Sequence, residues 1–320
     1  MSKVELDEIG TVSRVEGFWP LQTPMLCRSD MLGAEVPMKL AGLDGIVAVP
    51  DALCGHGGLT GPSFALRSFG ANHSWGSVVE SRDGRPITAQ VRGLGFSFNA
   101  NGDHEQTIDS VYEQLPEWCG LAARWIEVST GQDMRPQPEP ETFYVGGTFW
   151  FANDNDQWAE TGRGRTWPLA IRPTLALDLS AWKKVVALAS RDERPETAHS
   201  LLADASVAFQ RKDYRVAVME AGAAAELALR RMLTGIGYVL RPRMTLGNLV
   251  DVAVARIGAP RVPADVKTML LRPRNEVVHR AATPNRQIAT AALDVARQLV
   301  GEACPLPTEL DIASRRQASR

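Results

Sequence analysis

The sequence lacks the long apolar run that a membrane-spanning helix requires. Such a helix needs roughly 18 or more consecutive apolar residues, and no run in the 320 residues approaches that length. The first eight residues, Met1 to Glu8, also lack the basic start and apolar centre of a secretory signal. We therefore expect a cytoplasmic protein. With 44% hydrophobic residues, the chain is long enough for two domains.

Cysteine and histidine are scarce, which argues against disulfide frameworks and metal sites. No Cys-x-x-Cys pair occurs among the four cysteines Cys27, Cys54, Cys119 and Cys304. This favours reduced thiols. Cys54, His56 and Cys119 have the chemistry of zinc ligands but not the spacing, so we expect no metal. The five histidines do not form a recognisable Ser/His/Asp arrangement, and we expect no cofactor.

Charge is distributed unevenly along the chain. Residues 1–190 contain 15 Lys and Arg against 23 Asp and Glu, whereas residues 191–320 contain 20 against 14, although the net charge is only −2. A basic C-terminal module on an acidic N-terminal one indicates a polyanionic partner for the former.

The N-terminal part, residues 1–190, has the pattern of an α+β domain. Short alternating apolar runs broken by turn residues predict antiparallel strands at Met38–Leu43, Gly45–Val49, Ser77–Glu80 and Val91–Phe98. Helical spacing begins near Glu105 and predicts a long helix that ends before Gly131 and is kinked or split at Pro116. Further expected elements are strands at Thr142–Trp150 and Pro168–Leu179, and a short helix at Ser180–Ala189 capped by Ser180.

Residues 191–304 are helical almost throughout and predict an up-and-down helical bundle. We expect five helices. Pro195 suits the first turn of the first, and Asp213 and Thr245 are expected to cap the second and third. The fourth should run from about Pro263 to Arg280, and Thr283-Pro284 should start the fifth. Residues 305–320 are predicted to form a polar, frayed tail.

The fourth helix contains polar groups within an apolar pattern. Arg274, Asn275 and His279 interrupt the apolar residues of the segment Leu270–Arg280. Asn275 and His279 are i,i+4 neighbours on one helix face, while Arg274 lies about 140° around the helix from His279. Only a side chain as long as arginine could reach the imidazole from that position.

This C-terminal part resembles a HEPN domain. The resemblance is carried by the alanine-rich helix Tyr214–Leu229, the motif Arg274-Asn275-x-x-x-His279 and the proline at the start of the fifth helix. It implies a homodimer formed through the helical bundle, in which the Arg/His pairs of the two protomers meet. In catalytic members of the family it also implies metal-independent cleavage of RNA.

The three residue types suit that reaction. RNA carries its own nucleophile, the ribose 2′-hydroxyl. An imidazole such as that of His279 can remove or donate a proton near neutral pH. Arg274 would stabilise the charge on the phosphate oxygens, and Asn275 would orient the ring or the phosphate. The products would be cyclic 2′,3′-phosphates, and DNA would not be cut.

The resemblance therefore implies an endoribonuclease of HEPN type, in which residues 1–190 are expected to act as a sensor or target-selection domain that responds to a regulatory ligand or protein. The resemblance places such proteins in antiviral defence against phage or in growth control of the toxin–antitoxin kind. The alternative is a non-catalytic HEPN-like dimerisation or ligand-binding module, in which Arg274 and His279 cap carbonyls or pair with an acid. Glu226 could neutralise Arg274 or remain solvated, and Pro273 could bend the helix and change how Arg274 is presented.

Two N-terminal segments offer other chemistry. The glycine-rich segment Cys54–Gly61 could bind an anion through its amides but lacks the Gly-Lys-Ser/Thr of a P-loop, so we interpret it as a turn. The segment Gly162–Trp167 could contact nucleic acid, although a solvated hairpin is the simpler interpretation.

Overall fold

The computed structural model describes residues 14–53, 57–62, 75–99, 104–135, 149–152, 158–161, 175–312 and 314–315. These residues form an α+β fold with an antiparallel sheet in the N-terminal half and helices through the C-terminal part, which confirms the fold class expected from the sequence. The segments Cys54–His56 and 162–170 lie outside the described residues, as does most of each of the two returning strands expected between 142 and 179.

Five strands form the main sheet. The described strands are β1 (Arg14–Arg28), β2 (Glu35–Leu40), β3 (Leu43–Ala48), β4 (Asp51–Ala52), β5 (Leu59–Thr60), β6 (Gly76–Arg82), β7 (Arg85–Asn99), β8 (Phe149–Ala152) and β9 (Trp158–Thr161). The main sheet has the order β1-β7-β3-β2, with β6 also paired to β7, while β4 pairs with β5 and β8 with β9. Strand β2 alternates strictly between exposed and buried residues, as a half-buried strand should.

The long strand β7 is central in the main sheet, because it pairs with β1, β3 and β6, while the equally long β1 stands at one end of the strand order. All four of the strand segments predicted within the first hundred residues fall in or overlap observed strands, but β1 is not among them. Its register shifts between Pro20 and Met25, where the pairing with β7 is irregular. Prolines have no backbone N–H to donate to the hydrogen bonds between strands, and the register shift changes which residues face each side of the sheet. The sequence of β1 therefore lacks a clear period-two alternation of apolar and polar residues.

Seven helices follow or cover the sheet among the described residues. They are α1 (His104–Thr130), α2 (Leu179–Ala189), α3 (Thr197–Gln210), α4 (Tyr214–Gly235), α5 (Leu246–Arg256), α6 (Arg272–Arg280) and α7 (Arg286–Ala303). A π-helical turn, Lys267–Leu271, leads directly into α6. None of the helices in the described part is both long and apolar enough to cross a membrane.

The ends of the helices follow local side-chain chemistry. Asp213 and Thr245 cap α4 and α5 as predicted. The predicted cap Ser180 is wrong, because the Asp178 carboxylate accepts a hydrogen bond from the amide of Ala181 at 2.9 Å and begins α2 earlier. Likewise α7 is capped by Asn285 rather than started by Thr283.

Helix α1 is continuous through Pro116 and is not split there. It ends at Thr130, and Gly131 follows with a φ of 71°, which is the left-handed conformation that glycine adopts without strain at a helix end. The inner face of α1 includes Trp118 and Trp125, which belong to the buried cluster beneath the sheet.

The C-terminal segment packs against the N-terminal core, so the predicted frayed tail is wrong for residues 306–312. Leu310 and Ile312 are fully buried, and both belong to the hydrophobic cluster of the N-terminal domain. The separate cluster inside the helical bundle does not contain them. The guanidinium of Arg315 pairs with Asp178 at 3.0 Å. Two isolated apolar residues in a polar segment give no periodic signal, which explains the error.

We expect Leu310→Ala to lower the free energy of unfolding by about 2–4 kcal/mol, because it removes a fully buried side chain from a packed core. Urea denaturation followed by tryptophan fluorescence measures this. The neighbouring Glu309→Ala, at a residue that is partly exposed, serves as the control and should change the free energy by less than about 0.5 kcal/mol. Equal effects of the two substitutions would contradict the observed packing.

A polar seam joins α1 to α3 and thereby fixes the bundle to the N-terminal domain. We define this seam by Arg124, Glu127, Arg135 and Asp204. Arg124 pairs with Glu127 at 2.5 Å and with Asp204 at 2.6 Å. Arg135 also pairs with Asp204 and lies 3.8 Å from Glu127. Hydrogen bonds to Asp204 and Glu127 raise the pKa of Arg124 despite the opposing effect of its burial.

Candidate functional site

The structure places Arg274, Asn275 and His279 on one helix, α6. Arg274 and Asn275 lie in its first turn and are half-buried, whereas His279 lies in its last turn and is exposed. The helix ends at Ala281, whose φ of 52° turns the chain away directly after His279 and Arg280.

A π-helical turn accommodates Pro273. The amide of Arg272 donates to the carbonyl of Lys267, five residues earlier, so the hydrogen-bond ladder is shifted just before the proline. Pro273 has no amide hydrogen to contribute, and α6 nevertheless continues from it to Arg280. The sequence left open a bend at Pro273. The structure instead has a widened turn, a feature that is frequent at functional sites.

Arg274 is held against α4 and has no acidic partner within the described part of the chain. Its stem lies over Gly222, and its Nη1 donates a long hydrogen bond of 3.4 Å to Oδ1 of Asn275. Glu226 does not neutralise it, because that carboxylate accepts from Arg230 at 2.8 Å on the same helix. A half-buried guanidinium that is not neutralised by a carboxylate can bind an anion such as a phosphate.

His279 is exposed and forms no hydrogen bond or ion pair with any described residue. The structure therefore brings Arg274 and Asn275 into contact, with His279 one helical turn beyond Asn275 on the same face and not bonded to either.

Further cations lie on α6 and at the start of α7. Arg272 pairs with Glu276, four residues later on α6, at 3.0 Å. Arg280 and Arg286, at the end of α6 and the start of α7, are exposed and form no ion pair among the residues that the structure describes. Arg286 was not among the residues singled out from the sequence. The only feature of the sequence that connects it with the motif is its position six residues after Arg280. Arg280 directly follows His279, and its positive charge, unpaired among the described residues, suits a phosphate backbone.

An apolar strip runs along an exposed face of α4, the helix on which the Arg274 stem lies. We define the strip by Val216, Met219, Ala223 and Leu227, which share one helix face by their spacing. The three larger side chains are 37% to 42% exposed. Val278, one turn after Arg274 on α6, is exposed to the same degree, at 42%. Exposed apolar residues arranged on one face indicate a contact surface more strongly than scattered ones.

The described cysteines do not provide an alternative reactive site. Burial raises the pKa of Cys27 and Cys119 to about 12 and that of Cys304 to about 11. Thiols with such values carry little thiolate near neutral pH and are poor nucleophiles. In the alternative site at Cys54–Gly61, Cys54 and His56 lie outside the described residues.

His199 is a buried histidine that is hydrogen-bonded to the backbone. Its Nε2 donates to the carbonyl of Cys304 at 2.6 Å, and burial lowers its pKa below 6.5. The unfolded chain therefore binds a proton at a higher pH than the folded chain does, so stability is lost as the pH falls through about 6.5.

We expect the free energy of unfolding to decrease when the pH is lowered from 7.5 to 5.5. Protonation of His199 in the unfolded chain should account for at most about 1.4 kcal/mol of this decrease per pH unit. Urea denaturation at the two pH values measures this. His199→Gln should be less stable than wild type at pH 7.5 but should lose less stability on acidification. An unchanged pH slope in the variant would contradict the assignment.

Comparison of the chain with protein-family models, with curated proteins and with solved structures gives no match. The resemblance to HEPN domains therefore depends on the motif and on the order of helices around it.

Proposed function

We propose that this protein is a cytoplasmic, metal-independent endoribonuclease of HEPN type, with Arg274, Asn275 and His279 as its catalytic residues. The observation that carries the proposal is the state of Arg274. It is half-buried against α4, hydrogen-bonded to Asn275 and unpaired with any described carboxylate, and an exposed imidazole lies one turn further along the same helix.

The chemistry uses groups that the RNA and these side chains supply. A base removes the proton of the ribose 2′-hydroxyl, the 2′-oxygen bonds to phosphorus, and the bond from phosphorus to the 5′-oxygen breaks. An acid returns a proton to the departing 5′-oxygen. Arg274 stabilises the negative charge on the non-bridging oxygens in the transition state. The products are a cyclic 2′,3′-phosphate and a 5′-hydroxyl.

A base and an acid are both required, and the motif of one chain supplies one histidine. A homodimer that brings two copies of His279 together would provide both. The apolar strip on α4, together with Val278 on α6, supports dimer formation beside the motif. Burying such a surface is the usual driving force for stable homodimers.

The N-terminal domain is proposed to control the bundle. The polar seam and the buried residues Leu310 and Ile312 connect the two parts, so a ligand or protein bound to the sheet domain could influence the nuclease. By resemblance to HEPN proteins, we propose a role in antiviral defence or in toxin-like growth control. Both roles require RNA cleavage that is held off until a signal arrives.

The second candidate is a non-catalytic HEPN-like dimerisation or ligand-binding module. The specific observation in its favour is that no hydrogen bond joins His279 to Arg274 or Asn275. The apolar strip, by contrast, already exposes its three larger side chains on one face of α4. In this alternative the strip mediates assembly and the motif has no reactive role.

Incubation of purified protein with end-labelled RNA in excess EDTA distinguishes the two candidates. The nuclease is expected to leave cyclic 2′,3′-phosphate ends and 5′-hydroxyl ends. A protein that forms a dimer by light scattering but leaves RNA intact, with or without added divalent cations, would support the second candidate.

A further inference from the structure

Gly222 is an unexpected residue at its position in α4. The helix is rich in alanine, and the buried neighbours Ala221, Ala224 and Ala225 show that a methyl group is tolerated around it. Glycine is a poor helix former compared with alanine, because it loses more conformational freedom on folding. A glycine in the interior of this helix therefore needs a separate reason.

The backbone conformation does not supply that reason. Gly222 lies within regular helix and has no positive φ, so an L-residue could adopt its conformation. A close approach of another backbone does not supply it either, because the three nearest atoms to an added Cβ all belong to the side chain of Arg274.

The contact with Arg274 explains the glycine. An added Cβ would lie 2.8 Å from Cγ of Arg274, 3.6 Å from its Cβ and 3.7 Å from its Cδ. The first distance is shorter than real Cβ contacts, so the arginine stem would have to move. The stem leaves α6 immediately after Pro273 and the π-helical turn, which restrict the backbone from which it starts.

We infer that Gly222 is a positioning residue for the proposed nuclease. Its missing side chain leaves the space in which the Arg274 stem lies against α4, and this places the guanidinium beside Asn275. The inference rests on the proposed function, because positioning matters only if Arg274 acts on RNA. Moving the stem by one rotamer would carry the guanidinium away from the phosphate site.

The test compares Gly222→Ala with a matched control, Gly301→Ala. Gly301 lies in the last turn of α7 and is exposed, and an added Cβ there meets nothing within 4 Å. Both substitutions replace a helical glycine by alanine, and only one of them meets Arg274. We expect Gly222→Ala to lower kcat for RNA cleavage by at least about tenfold with KM within about twofold, whereas Gly301→Ala should cleave at the wild-type rate.

A double variant separates positioning from a general structural effect. In the Arg274→Ala background, Gly222→Ala should cause no further loss of cleavage, because the displaced group is already absent. If Gly222→Ala alone does not fold but the double variant does, the clash is with the arginine stem, and the inference is supported. If both fail to fold, Gly222 serves the packing of α4 itself, and the inference is overturned.

The outcomes distinguish this inference from the proposed function. Wild-type protein that does not cleave RNA contradicts the function, and positioning of Arg274 for catalysis is rejected with it. Wild-type protein that cleaves, together with Gly222→Ala that cleaves at the same rate, overturns the inference and leaves the function intact.

Discussion

His279→Ala is expected to lower the rate of RNA cleavage in EDTA by at least about a hundredfold, because it removes the proposed acid or base. Arg274→Ala should cause a similar loss, since a single charge-stabilising donor contributes about a hundredfold or more to such reactions. Single-turnover cleavage of a labelled RNA measures both effects. A loss confined to kcat, with unchanged RNA binding, is the expected pattern.

The folded state should tolerate the loss of His279. The side chain is exposed and makes no contact with another described side chain through a hydrogen bond or ion pair, so its removal should change the free energy of unfolding by less than about 0.5 kcal/mol. Arg272→Ala is the matched control on α6, because Arg272 is exposed and paired only with Glu276. It should retain cleavage. Activity that persists in both His279→Ala and Arg274→Ala would remove the catalytic assignment.

Glu127→Ala is expected to lower the free energy of unfolding by about 2–4 kcal/mol, because it breaks a buried part of the polar seam. Glu127 is only 4% exposed. Its carboxylate pairs with Arg124 at 2.5 Å and accepts a hydrogen bond from the amide of Met134 at 3.2 Å. Its removal leaves these donors partly unsatisfied. Chemical denaturation measures the change.

Glu117→Ala provides the control for this prediction on the same helix. Glu117 is exposed and pairs with Arg194 at 3.3 Å, an arrangement that contributes about 0–1 kcal/mol at most. If Glu127→Ala destabilises the protein no more than Glu117→Ala does, the seam does not hold the domains together. Control of the bundle by the N-terminal domain would then require another route.

Local patterns predicted much of the fold. The alternation in β2 and the caps Asp213 and Thr245 are consequences of nearby residues, and the structure agrees with them. Strand β1 was not predicted, because its prolines and register shift disturb the period of two. The burial of Leu310 depends on a core formed by residues more than a hundred positions away, and local patterning cannot reveal such a contact.

The candidate site was predictable to a similar extent. Spacing alone predicts that Asn275 and His279 share a face of α6, and the helix bounds agree. Spacing does not predict that the Arg274 stem lies on Gly222, because this depends on how α4 and α6 pack. Nor does it decide whether Glu226 neutralises Arg274. The carboxylate pairs within its own helix with Arg230, one turn away.

The most direct test of the central claim is cleavage of an RNA that carries a single 2′-deoxynucleotide at a mapped cut site, in excess EDTA. The account predicts that cleavage disappears at that position and continues at other sites, since the missing hydroxyl is the nucleophile. Cleavage that persists at the 2′-deoxy position would contradict attack by the 2′-hydroxyl and, with it, the proposed roles of Arg274 and His279.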